Sequence, residues 1–221
     1  MLHSLALIIL LSTATAQNPT DLIDVAQIDE RFKFDMVYAG SNNFIGEKVY
    51  PVGRCLIRKQ VGQMVKQAQA YLDQHHKGYV LLFKDCYRPE HVQFKMWEVV
   101  KGKPQQRYVA NPNSKTGSVH NYAAAVDVTL ANAQGEEVDM GTLHDHLGPL
   151  AEIRHEQKFL KEKKLNQEQI KHRYILRDAM TKGGKFKTIR TEWWHFDAWQ
   201  GKDLRKRYQK LDIPLDIKIS Q

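Results

Sequence analysis

Cysteine is scarce in this chain of 221 residues: only Cys55 and Cys86 are present. Neither belongs to a Cys-x-x-Cys pair or stands beside a histidine, which argues against cysteine catalysis. Two readings remain for them, one disulfide in an oxidising compartment or two buried thiols. Long apolar runs are also missing. Beyond the first seventeen residues no segment approaches the roughly 20 apolar residues that a transmembrane helix needs, so no membrane span is expected. Repeats and low-complexity linkers are absent too, and 42% hydrophobic residues suit one globular domain with a closed core.

Acidic charge is in deficit. The net charge is +8 and the pI about 9.3, a balance that draws an exported protein toward anionic surfaces such as cell-wall polymers. No arginine-rich stripe interleaved with exposed aromatics is found, so nucleic acid is not an expected partner. Much of the positive charge lies in "RHEQKFLKEKKLNQEQIKHRYILR", where interspersed acidic residues indicate a solvated helical face.

The amino terminus, "MLHSLALIILLSTATAQ", lacks Lys and Arg but has an apolar run from Leu5 to Leu11 followed by Ala14-Thr15-Ala16. That is the small-x-small pattern a signal peptidase accepts. Residues 1–16 therefore read as a signal peptide and 17–221 as the mature domain, which is expected in the periplasm or outside the cell.

Apolar positions Val61, Met64, Val65, Ala68 and Leu72 recur at three- and four-residue steps, which predicts an amphipathic helix from Ile57 to a stop at Lys77-Gly78. "YVLLF" reads as a buried strand, and "DCYRPE" as a turn into a second helix that runs through Met96 and Trp97. A third helix is expected from Asn166 as N-cap to Met180, with Ile170, Tyr174 and Ile175 inward and Gly183-Gly184 ending it. The fold class is α+β: one domain, with a small, largely antiparallel sheet flanked by helices.

Chemistry concentrates in two short stretches. In "SVHNYAAAVDVTL", residues 118–130, Asp127 stands in an apolar strand-like run, where an ionised carboxylate demands a partner charge, hydrogen bonds or a metal. His120 is seven positions away, an odd number. In an unbroken strand the two would face opposite ways, so His120 must lie in a bend before the strand if both grip one object. In "TEWWHFD", residues 191–197, Glu192 and His195 are again an odd number apart, so one of the two should stand at the strand's start or a bulge should intervene. Two histidines and an aspartate from separate segments make a three-ligand zinc set with a fourth position open, and Glu192 is then free to act as a base.

Each residue alone has a plainer reading. A lone histidine is more often a hydrogen-bonded core residue, Trp193, Trp194 and Phe196 suit a core, and Asp127 could pair with Arg88 or cap a helix. "LHDHLG" offers a rival metal pair, His144 and His146, though without an obvious base or oxyanion partner. His75, His76, His91, His155 and His172 lie on expected helices or their ends and are assigned no chemistry.

Together, Ser118, His120, Ala123, Ala125 and Asp127, followed downstream by Glu192 and His195, resemble the motifs of zinc D-alanyl-D-alanine dipeptidases. That family lies within a wider group that includes D-alanyl-D-alanine carboxypeptidases. "VYAGSNNFIG", "KDCYRPE" and "DMGTLHD" are similar to further segments of the family, so the resemblance runs from Val37 to Phe196. Ala123 stands where the family pattern has glycine. The resemblance implies zinc-dependent hydrolysis of D-alanyl-D-alanine, with one Zn2+ on His120, Asp127 and His195. It makes Glu192 the general base, sets Arg88 at the scissile bond, and groups Tyr38, Ser118 and Asp145 around the substrate's amino end.

Two alternatives stay open. One is a peptidoglycan carboxypeptidase or endopeptidase on the same scaffold, acting on cell-wall peptides. The other is a non-enzymatic wall- or partner-binding protein with structural zinc.

Overall fold

The computed structural model describes residues 21–219, so the signal peptide read at residues 1–16 lies outside the described residues. The elements in chain order are β1 (Leu22–Asp24), β2 (Lys33–Phe34), β3 (Leu56–Arg58), α1 (Lys59–His75), β4 (Val80–Asp85), α2 (Glu90–Val100), β5 (Ala125–Ala131), α3 (Glu156–Lys161), α4 (Gln167–Asp178), β6 (Lys187–Thr188), β7 (His195–Asp197) and α5 (Gly201–Arg207). No helix among the described residues is long and apolar enough to cross a membrane.

The main sheet runs β2-β4-β5-β7-β6, and β1 pairs with β3 in a separate two-stranded ribbon. Only the β2–β4 pair is parallel. This is the α+β domain with a largely antiparallel sheet that the alternation of patterns implied.

Period-2 alternation in β5 sends Val126, Val128 and Leu130 into a core shared with Val61, Val65, Ala68 and Leu72 of α1. Each such side chain, fully buried, contributes roughly 1.5–3 kcal/mol. The opposite alternation carries Asp127. It stands opposite Asp85 of β4, past a register shift between Phe83 and Asp85, and opposite His195 of β7 on the other side. The centre of the sheet thus aligns a row of ionisable side chains across three strands.

Cys55 and Cys86 form a buried disulfide, with Cα atoms 5.1 Å apart. It joins the chain entering β3 to the turn leaving β4. The thiol alternative is therefore excluded.

Three details differ from the periodicity. The first helix begins at Lys59, not Ile57, because Leu56–Arg58 stays extended to pair with β1. Tyr174 points outward, 45% exposed beneath the Arg177 guanidinium, since buried Ile170, Arg173 and Leu176 define the inner face of α4. That helix also runs on past Met180 as a π turn, Ala179–Gly183. It ends where a Cβ on Gly183 would lie 2.6 Å from the Tyr71 side chain and one on Gly184 would lie 2.9 Å from a carbonyl of α1. Asn166 is the N-cap, accepting from the Gln169 amide. The basic stretch folds as α3 and α4, with Glu156 buried against Arg177 and Arg173.

Candidate active site

His120 lies in a 3-10 turn, Val119–Tyr122, immediately before β5, and so escapes the strand's alternation and meets Asp127. Its Nδ1 is 2.6 Å from the carbonyl oxygen of Cys86 and can only donate there. Nε2 is left as an acceptor. His195, the first residue of β7, has Nε2 2.7 Å from Asp197 Oδ1, which in the neutral ring keeps the proton on that nitrogen and leaves Nδ1 as the acceptor. Asp197 is itself held by the Gln200 amide. These contacts orient the rings as carboxylate and carbonyl partners do around metal-ligating histidines.

The remaining atoms converge. His120 Nε2 is 3.1 Å from His195 Nδ1, His195 Nδ1 is 3.0 Å from Asp127 Oδ1, and Asp127 Oδ1 is 3.3 Å from His120 Nε2. Three such atoms packed this closely repel one another unless a proton or a metal cation lies among them. A tetrahedral ion about 2.0–2.1 Å from each ligand holds its ligands about 3.3 Å apart, so the triangle has the right size. Among the described residues this is the group that could hold a metal ion. Charge alone already marks the cluster. Although burial opposes ionisation, His120 and its neighbours hold the Asp127 carboxyl well below the usual range. Burial likewise opposes the charge on His195, yet Asp197 and Asp127 hold its pKa well above that of an ordinary histidine.

Glu192 lies in the loop before β7 and His195 opens the strand, one of the placements that their odd spacing allows. Burial drives its carboxyl up to about 8, against the opposing pull of His195. Arg88 is buried and forked onto Asp85, with Nη2 2.6 Å and Nε 3.0 Å from Oδ2. It also donates to Gln93 and reaches within 4.0 Å of Asp127. Its backbone nitrogen donates to the carbonyl of His120, and the Asn121 side-chain amide donates to the backbone carbonyl of Arg88. The turn at residues 85–88 and the turn at 119–122 are thus tied to each other by two hydrogen bonds.

Tyr38 donates its hydroxyl to Asp145, 2.8 and 3.0 Å from the two oxygens. Asp145 has φ 63° and a carboxyl that burial raises above its ordinary value. Both residues, with Ser118, Arg88, Glu192 and the metal-site triangle, line a single cleft of about 260 Å³. That is just below the usual range for ligand sites, about 300–1,000 Å³.

The profile of a peptidase family described as D-ala-D-ala dipeptidase matches residues 18–213. The chain belongs to this family. A relative from Escherichia coli (strain K12), a D-alanyl-D-alanine dipeptidase, is 30% identical over 181 residues, 82% of this chain and 86% of that protein. Members of the family are metal-dependent, and the protein is a metallopeptidase.

All eight residues singled out from the sequence thus meet in one cleft. The rival pair does not form: His146 is exposed, whereas His144 is buried against Asp127, with Nε2 3.3 Å from Oδ2. His172 bonds a backbone carbonyl, and both tryptophans are in the core. The sequence reading missed Asp197 and Asp85. A signal for each was present, since Asp197 is two residues from His195 on the same face of β7, and Asp85 is three before Arg88.

Ala123, at the family's glycine position, adopts the left-handed conformation, φ 55° and ψ 34°, and is fully buried. That conformation costs an L-residue roughly 1–2 kcal/mol. Burial of its methyl returns about 0.8 kcal/mol, and alanine's stiffer unfolded chain returns about 0.4–1 kcal/mol. Ala123→Gly is therefore expected to change stability by less than about 1 kcal/mol in urea unfolding. Ala123→Val, which cannot adopt this conformation without strain, should cost about 2 kcal/mol or more. A large loss in the glycine variant would contradict this balance.

Proposed function

We propose that the protein is a zinc D,D-dipeptidase that hydrolyses free D-alanyl-D-alanine to D-alanine. The observation that carries this reading is the joint presence, in one small cleft, of a metal triangle of two histidines and an aspartate, the buried carboxyl of Glu192 and the partly buried carboxyl of Asp145. His120 Nε2, Asp127 Oδ1 and His195 Nδ1 would hold the zinc. When bound, that ion supplies Lewis acidity, lowering the pKa of water to about 7 and polarising a carbonyl.

The chain's own groups do the rest. Glu192 takes the proton of the attacking water as the new C–O bond forms at the scissile carbonyl. It then returns that proton to the leaving amine as the C–N bond breaks. A carboxyl driven up by burial suits both halves of this transfer near neutral pH. Arg88, held by Asp85 and Gln93, offers fixed positive charge to the oxyanion. The Asp145 carboxylate, braced by Tyr38, pairs with the substrate's ammonium, and Ser118 lines the same end.

Export belongs to this reading, supported by the apolar leader and by a disulfide of the kind that persists in oxidising compartments.

One observation favours the carboxypeptidase alternative. A second groove, bordered by Phe44, Val99, Lys103, Gln105 and Leu147, meets the cleft at Asp145 and would give a longer peptide a way out. Substrate length decides between them. Purified protein should hydrolyse free D-alanyl-D-alanine with a kcat/KM at least about a hundredfold above that for its N-acetyl form, because the acyl group leaves a buried carboxylate without its charged partner. Comparable rates on the free dipeptide, the acylated one and an intact stem peptide would replace the dipeptidase reading with the carboxypeptidase one.

A further inference from the structure

His144 has no part in the chemistry just derived and does not line the cleft, yet its position is constrained on every side. Its side chain is only 4% exposed. Nε2 lies 3.3 Å from Asp127 Oδ2, and Nδ1 lies 3.4 Å from Asp145 Oδ2. The ring packs edge-on against Trp194, with centroids 5.2 Å apart, and against Tyr38, 6.3 Å away. One imidazole thus spans the gap between two buried carboxylates that belong to opposite ends of the proposed reaction. Asp127 presents its other oxygen to the metal triangle. Asp145 presents its carboxylate to the cleft, on a backbone in the left-handed region.

Two carboxylates this close in a partly desolvated site repel each other. A ring wedged between them by two aromatic neighbours holds them at a fixed separation. Hydrogen bonds to a ligating carboxylate also tune how firmly it holds its metal.

We propose that His144 is a positioning residue that ties Asp127 to Asp145 and so sets the separation between the metal and the substrate's ammonium group. The inference rests on the dipeptidase reading and deepens it. It supplies a physical basis for length selectivity: the distance from scissile carbonyl to free amine in a dipeptide is fixed, and His144 fixes its counterpart in the protein.

The test uses three variants, because a side-chain amide can replace one ring nitrogen at a time. In His144→Gln the amide nitrogen stands near the position of Nε2 and can still reach Asp127. In His144→Asn it stands near the position of Nδ1 and can still reach Asp145. His144→Phe keeps the ring and loses both contacts. Zinc affinity is read by competition with a chromophoric chelator, KM and kcat on the free dipeptide, and folding by thermal melt.

His144→Phe should weaken zinc binding about 10- to 100-fold and raise KM about tenfold or more, with a smaller change in kcat. His144→Gln should restore zinc affinity but not KM. His144→Asn should restore KM but not zinc affinity. Failure of Gln and Asn to separate the two readouts, whether through no effect or through parallel losses that track the melt, overturns the proposal. A wild-type protein that binds zinc but leaves the dipeptide intact overturns the dipeptidase reading instead, and the zinc measurements still report on the link to Asp127.

Discussion

Glu192→Gln is expected to lower kcat on D-alanyl-D-alanine by about a hundred- to ten-thousand-fold, the usual worth of a placed proton-transfer group. Zinc content should stay near that of wild type, because none of the three proposed ligands is touched. Gln is nearly isosteric with Glu, so the thermal midpoint should be no lower. A residue that merely secured the loop before β7 would behave in the opposite way, with lost stability and normal turnover per folded molecule. Zinc content, melt and turnover measured on one preparation separate the cases, and near-normal turnover would end the proposed mechanism.

The same variant has a second signature in chelator-treated protein. Glu192 titrates near 8 when folded, against 4.5 as its ordinary value. Between those pH values the folded chain keeps a proton that the unfolded chain has lost. Its contribution to stability is therefore complete below about pH 4.5 and declines as pH rises through 8, by up to about 1.4 kcal/mol per unit. Glutamine does not titrate. The stability of wild type relative to Glu192→Gln should fall steadily from pH 5 to pH 8, as read from urea unfolding at each pH. A difference that stays flat would mean that Glu192 is not held in so desolvated a setting.

The second large effect concerns the metal. His120→Ala and His195→Ala should each weaken zinc binding by on the order of a thousandfold, since each removes one of three protein ligands. Dialysed variants should then retain little of the one zinc per chain expected in wild type. Asp197→Asn, which touches only the far nitrogen of His195, should cost just 10- to 100-fold. Elemental analysis and chelator competition give this ordering directly. Full retention of zinc by both alanine variants would move the metal away from the triangle of His120, Asp127 and His195.

Much of the site was legible because parity arguments are strict. An odd separation in a strand forbids a shared face, so each pair had to straddle a bend, a bulge or a strand start: His120 lies in the turn before β5, and His195 opens β7 with Glu192 in the loop before it. The helices were legible in the same way, through the steps of Val61, Val65, Ala68 and Leu72. What failed did so for reasons of tertiary context. Ile57 suits a helix but is claimed by pairing with β1. Tyr174 has an apolar body and an inward-looking position, yet the buried ion pairs of Arg173 and Arg177 with Glu156 set the rotation of α4. His144 was read only as half of a metal pair with His146, because sequence spacing shows neighbours along the chain and not the carboxylates that a fold brings from either side. Asp197 went unremarked although its spacing of two from His195 put both on one face of β7; spacing permits the contact with the ring nitrogen but does not display it.

The direct opposition of Asp127 and His195 across β5 and β7 has a consequence for strand misregistration. Strand β7 spans only three residues, His195–Asp197, too few for its ladder bonds alone to select one alignment among neighbours. A slip by one position would present Val126 or Val128 to His195 and turn Phe196 out of the core. It would also separate the two proposed ligands. An ion shared by these directly opposed residues would thus proofread the alignment: only the correctly paired sheet could bind it, so each molecule that carried metal would already have passed a test of its own topology.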